Sequence, residues 1–219
     1  MNKRMIRFAA ALGMMVSLTA CQSMYFNSME KFGVHKRDIM KTRVEDARES
    51  QTEAKEEFKT TLELFSAVVE IKAGDLEKTY NKLNKAYESS EARAEEVRSR
   101  IASIESVSKA LFKEWEQEIK VINNPTFRRD SEAKLRESRG RYEDMIDAMK
   151  SAAEKMDPVL AAFRDQVLYL KHNLNSAAIA SIEGEVVKIQ DDVSVLIKEM
   201  EASIAEADEF LKNWQSSGG

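Results

Sequence analysis

Apolar positions along this chain recur every three or four residues over long stretches, and that spacing defines its elements. From Leu76 the series runs through Tyr80, Leu83, Tyr87, Ser90, Ala94, Val97, Ile101, Ile104, Ser108, Leu111 and Trp115. Steps of four and three alternate without a slip, which marks a helix packed against partners along its whole length. Ile179, Ile182, Val186, Ile189, Val193, Leu196 and Met200 repeat the pattern near the C-terminus. A looser stripe joins Met40, Val44, Ala47, Ala54, Phe58, Leu62, Phe65 and Val69, with polar Gln51 in the seam. Leu135, Tyr142, Met145, Met149, Ala152 and Met156 make a fourth. None of the four is apolar all round, so none reads as a membrane-spanning helix.

Breakers separate these stripes. Ala73-Gly74-Asp75 is a short connection, with Gly suited to a left-handed helix end and Asp to the next N-cap. Asn123-Asn124-Pro125-Thr126 is the second, because Pro125 biases Asn124 out of the helical region. Lys171 to Ser176, with Asn173 and Asn175, is the third and weakest. The pattern predicts helices over 28–73, 75–122, 127–172 and 176–213, within a bundle of residues 28–213 and a flexible tail at 214–219. Near Pro158 the third stripe steps Ala152, Met156, Leu160, Phe163, so an extra residue enters the seam there. A kink within one helix fits that shift; a new helix with Asp157 as N-cap and Pro158 at its first position is the rival. Short connections force antiparallel neighbours, so the expectation is an all-α, elongated, up-down-up-down bundle of the coiled-coil type. At 1.5 Å per residue, a helix of about 45 residues is roughly 68 Å long, which predicts a rod with a narrow core.

Composition agrees with helix. The 219 residues contain only 2 Pro, 7 Gly and 1 Cys, and 33% are charged. Loop-rich, collagen-like and disulfide-scaffold classes are excluded on those counts. The first twenty residues belong to no helix of the fold. Lys3, Arg4 and Arg7 form a basic start, Phe8 to Ala20 an apolar run of 13, and no acidic residue precedes Glu30. That is a secretory signal, too short for a membrane span of about 20 residues. The run ends Leu18-Thr19-Ala20-Cys21, which resembles the lipobox of bacterial lipoproteins, in which the Cys is lipidated and becomes the new N-terminus. Residues 1–20 are thus expected to be removed, with 21–27 as a lipidated tether. Removal changes the formal net charge from −4 to −7. Gln22 follows the Cys, and by resemblance to Gram-negative lipoproteins the absence of Asp there implies sorting to the outer membrane. The same resemblance implies three acyl chains, enough for a stable anchor where one is marginal.

From Phe26 onward the chain resembles the bacterial family called domain of unknown function 2959. The words that carry the resemblance are Lys31-Phe32-Gly33-Val34-His35-Lys36-Arg37-Asp38-Ile39, Leu111-Phe112-Lys113-Glu114-Trp115-Glu116 and Arg128-Arg129-Asp130-Ser131-Glu132-Ala133-Lys134-Leu135-Arg136. Met156-Asp157-Pro158-Val159-Leu160-Ala161-Ala162, with Asp165-Gln166-Val167 and Leu170-Lys171-His172-Asn173-Leu174-Asn175, completes them. The resemblance implies a helical protein of Gram-negative bacteria and carries over no catalytic residue. Some relatives carry DNA-repair ATPase labels, yet this chain has no glycine-rich Gly-Lys-Ser/Thr phosphate loop.

Catalytic constellations are scarce. His35 and His172 are expected at opposite ends, and no His-Glu-X-X-His or Gly-X-Ser-X-Gly word occurs. Glu56-Glu57, Glu95-Glu96 and Asp191-Asp192 read as solubilising charge, and Met145, Met149 and Met156 as core. No metal, cofactor or small-molecule substrate is therefore expected, and the acidic balance with export disfavours nucleic acid. Two basic clusters stand out. Lys31, Lys36, Arg37, Lys41 and Arg43 form one; Arg128, Arg129 and Arg136, with Lys134, Arg139 and Arg141, the other. In the expected bundle both fall at the lipidated end, where each basic side chain near an anionic bilayer adds about 1 kcal/mol of attraction. The leading expectation is a non-enzymatic, outer-membrane-anchored, periplasm-facing scaffold or adaptor that packs on a protein partner or a second copy. The alternatives are a cytoplasmic coiled-coil protein accompanying DNA or an ATPase, and a regulator of a cell-wall enzyme.

Overall fold

The computed structural model describes residues 34–67, 76–173 and 176–216, with the main chain alone for 176–181, 183, 215 and 216. Four helices account for nearly all of them: α1 Lys36–Ser66, α2 Leu76–Val121, α3 Pro125–His172 and α4 Ser176–Ser216. There is no strand among the described residues. Cys21, Lys31, Val69, the Ala73-Gly74-Asp75 connection and the side chain of Ile179 lie outside them.

The helices form two compact units. The first takes residues 34–43 and 103–137, and its core is Ile39, Met40, Ile104, Val107, Phe112, Ile119 and Leu135. Here α1 and α2 run antiparallel, because Lys36 pairs with Glu114 while Arg43 donates to the Ser103 carbonyl. Trp115 Nε1 donates to Ser131 Oγ at 2.9 Å and ties α2 to α3. The expected seam ran through Leu111 and Trp115, but Phe112 and Ile119 take the buried positions instead. Sequence could not choose between them, since Leu111 and Phe112 are adjacent and both apolar.

The second unit takes residues 44–102 and 138–216 and is a four-helix, up-down-up-down bundle. Ordered cross-links set the antiparallel runs of α1 with α2 and of α1 with α4. Asp46, Glu53 and Thr61 on α1 meet Arg100, Arg93 and Ser90 on α2. Arg98 on α2 meets Asp157 on α3, Ser151 on α3 reaches Glu199 on α4, and Arg48, Gln51 and Lys55 meet Asp208, Ser203 and Glu201. The core is carried by large side chains at seam positions, among them Phe58, Phe65, Phe163, Leu83, Met145, Met149, Met156 and Leu170, all fully buried. Phe163 stacks on Phe65 with centroids 4.8 Å apart and on Phe58 at 6.2 Å. At Thr61 the α1 seam departs from expectation: Thr61 is buried and Leu62 only partly so. The hydroxyl is satisfied by Ser90 Oγ at 2.9 Å, so burying it costs little.

Helix ends also differ from the pattern-based limits. Pro125 is the first residue of α3, not a residue before it. Asn124 Oδ1 accepts from the amides of Thr126 and Phe127 at 2.9 and 3.3 Å, so Asn124 is the N-cap and proline's missing N–H is harmless at that place. α3 runs unbroken past Pro158, whose own side is exposed. Val159 and Leu160 are both buried, and the run Ala152, Met156, Val159, Phe163 keeps steps of four, three and four past the proline. Two successive steps of four follow it, Val159 to Phe163 and Phe163 to Val167, before a step of three to Leu170. α4 extends past the expected limit to Ser216, because Trp214 is buried and stacks on Phe210 at 5.0 Å.

Candidate functional site

The residues named from sequence as a basic surface divide on folding. Lys36 is turned inward: it is 6% exposed and its Nζ lies 3.1 Å from Glu114 Oε1. An ammonium so placed is needed to neutralise that carboxylate, so Lys36 leaves the lipid-facing set. Arg43 is half-buried and donates to the Ser103 carbonyl at 2.6 Å, while Arg37 and Lys41 are half-buried and engaged. Arg128 is exposed but donates from Nε and Nη2 to the Ile122 carbonyl at 3.0 and 2.7 Å, capping the end of α2. Arg129 reaches the Pro125 carbonyl at 3.3 Å, Lys134 pairs with Asp130 at 3.1 Å, and Arg136 is exposed. Basic spacing is visible in sequence; which of these cations hold the turn together is decided by carbonyls that only folding brings near.

Residues 34–43 and 103–137 fall in one unit, and they hold 11 basic and 8 acidic side chains. Residues 44–102 and 138–219 hold 19 basic and 29 acidic ones. The acidity of the chain therefore belongs to the second unit.

No group of three or more His, Cys, Asp or Glu capable of holding a metal occurs among the described residues. The acidic pairs noted in sequence are occupied or exposed. Glu56 pairs with Lys59, Glu95 with Arg98, and Glu96 with Arg93 and Arg100; Asp191 and Asp192 face solvent. Two open depressions mark the second unit. One of about 250 Å³ is lined by Arg141, Asp144, Glu206, Glu209, Phe210 and Asn213. The other, of about 390 Å³, is lined by Tyr87, Glu91, Glu95, Arg98, Asp157 and Arg164 among others. Burial pushes the Tyr87 phenol up from its ordinary value, and the hydrogen bond it donates to Glu91 at 2.9 Å adds to this. A phenol held in its protonated form is a poor general base.

Two polar pairs sit inside the second unit. Gln51 Nε2 donates to Ser203 Oγ at 2.9 Å and Ser203 Oγ donates back to Gln51 Oε1 at 3.1 Å, with both residues fully buried. Thr61 and Ser90 make the other. Gln51 was conspicuous in the seam; Ser203 carried no signal, since a serine at helical spacing reads as filler.

Fold and surface together define a class: an all-α helical-bundle protein with a basic first unit and an acidic second one. The chain belongs to the family described as Protein of unknown function (DUF2959), whose model matches residues 25–214. No curated protein and no solved structure matches the chain. No helix among the described residues is long and apolar enough to cross a membrane.

Proposed function

We propose that this chain is a lipid-anchored, periplasm-facing lipoprotein of the outer membrane whose helical bundle serves, without catalysis, as a scaffold or adaptor of the cell envelope. The observation that carries the reading is Leu18-Thr19-Ala20-Cys21, with the single cysteine of the chain placed directly after a basic and then apolar leader. The packing is consistent with a structural role. Each unit has its own apolar core, and in the second the buried pairs Gln51–Ser203 and Thr61–Ser90 bond to each other. What remains on offer is helix surface dressed with ion pairs, the kind of surface on which another helical protein or a second copy packs.

Palmitate labelling tests this. Wild-type chain expressed in a Gram-negative host takes up label, and Cys21→Ala does not. Unlabelled, unprocessed protein in the cytosol would overturn the reading and favour a cytoplasmic coiled-coil protein. Crosslinking in intact envelopes then identifies what the anchored bundle packs on.

A further inference from the structure

We infer that the α2–α3 turn is a membrane-insertion element: Val121 and Phe127 enter the head-group boundary of an anionic phospholipid bilayer, and Lys120, Arg128 and Arg129 meet the lipid phosphates. Val121 is 75% and Phe127 66% exposed, the two most exposed large apolar side chains among the described residues. A single exposed apolar residue means little. These two flank one three-residue connection, Ile122 to Asn124.

The charge around them selects the partner. Residues 119–129 contain Lys120, Arg128 and Arg129 and no acidic residue, in a chain that is acidic as a whole. Asp130, the next residue, is already paired with Lys134. A phenyl ring and an isopropyl group next in the chain to Lys120, Arg128 and Arg129, with exposed Glu118 one turn before Val121, match the layered chemistry of an anionic interface. An acidic protein groove would satisfy the cations but gains less from two apolar groups aimed into solvent.

The turn is also preorganised. Asn124 caps α3 at the amides of Thr126 and Phe127, Arg128 holds the Ile122 carbonyl, and Trp115 holds Ser131. Phe127 is thus kept outward by bonds that exist before any lipid arrives, which lowers the ordering cost of insertion.

Position agrees, and here the inference rests on the anchor at Cys21. Lys36, the first residue of α1, lies against Glu114, and the antiparallel run carries the chain's N-terminal side toward the turn. From Glu114 to Val121 is about 10 Å along α2. Lys36 is fifteen residues after Cys21, a reach of at most about 50 Å. An anchored chain can therefore bring the turn to the same bilayer.

The test uses the mature chain from residue 21 with Cys21→Ser, which carries no lipid and no other thiol. A polarity-sensitive fluorophore is attached at Phe127→Cys, and in a parallel protein at Val187→Cys, an exposed site of α4 in the second unit. With phosphatidylglycerol–phosphatidylethanolamine vesicles the label at 127 should shift to the blue and be quenched by bilayer nitroxides, and the label at 187 should not. Phosphatidylcholine vesicles should leave both unchanged. Val121→Ser with Phe127→Ser should lower vesicle partitioning by roughly tenfold or more, and Lys120→Glu or Arg129→Glu by about fivefold or more each. These side chains are exposed, so circular dichroism should be unchanged. The inference is overturned if the chain ignores anionic vesicles, if it binds while the label at 127 stays in water, or if only a protein partner moves that label. A palmitoylated chain whose turn stays in water overturns the insertion alone; an inserting chain that is never palmitoylated overturns the anchor alone.

Discussion

At the scale of single residues, burial decides roles that sequence left open. Lys36 and Arg128 look alike in a basic run, yet one neutralises a half-buried carboxylate and the other caps a helix end. Charge reversal at Arg128 would therefore damage the turn as well as the surface, which is why the insertion test uses Lys120 and Arg129. The Gln51–Ser203 pair makes a sharper prediction. Ser203→Ala leaves a buried amide without its partner and should cost about 1–3 kcal/mol in urea unfolding, whereas adding Gln51→Leu should restore most of the loss. Additive losses in the double variant would contradict the pairing. Phe163→Ala, which removes the ring stacked between Phe58 and Phe65, should cost about 3–5 kcal/mol. Gln51 was legible in the sequence as an oddity in an apolar seam. Its partner was not, because nothing local distinguishes a serine that bonds across a bundle from one that faces water.

At the scale of the helices, periodicity was enough to place all four, and it erred where two adjacent apolar residues competed. Leu111 against Phe112 is a choice made by the shape of the space facing them, which a spacing rule does not contain. Pro125 misled for a different reason. A proline in a polar connection suggests a break, whereas Asn124 as cap makes it the first residue of α3. Asn124→Ala should lower stability by about 1 kcal/mol. Pro158 sits inside α3 on an exposed side, where it withholds one backbone hydrogen bond. Pro158→Ala should stabilise the protein by up to about 3 kcal/mol, read as a rise in the thermal midpoint. Gly140→Ala and Gly184→Ala meet nothing within 4 Å of the added carbon and should each gain about 1 kcal/mol. A fall in midpoint for all three variants would contradict the view that these residues only weaken their helices.

At the scale of the whole chain, three parts differ in chemistry. A basic and then apolar stretch ends at the only cysteine, the first unit is basic with an apolar turn, and the second is acidic. That distribution is legible from sequence only after the chain is divided, because the overall charge of −4 averages it away. The proposed envelope lipoprotein would use all three parts: an anchor, a face for lipid, and a charged helical body for a partner. Ionic strength supplies a check on the middle part. Vesicle binding by the unlipidated chain should weaken between about 0.05 and 0.5 M salt without vanishing, since screening removes the cationic attraction and leaves the apolar contact. Complete loss would mean that Val121 and Phe127 contribute nothing.

The most direct test of the central claim is the intact mass of the protein recovered from cells. The recovered protein should begin at Cys21, carry the added mass of a diacylglyceryl group and an N-acyl chain, and fractionate with the outer membrane. A protein of full precursor mass, beginning at Met1 and recovered from the cytosol, would contradict it.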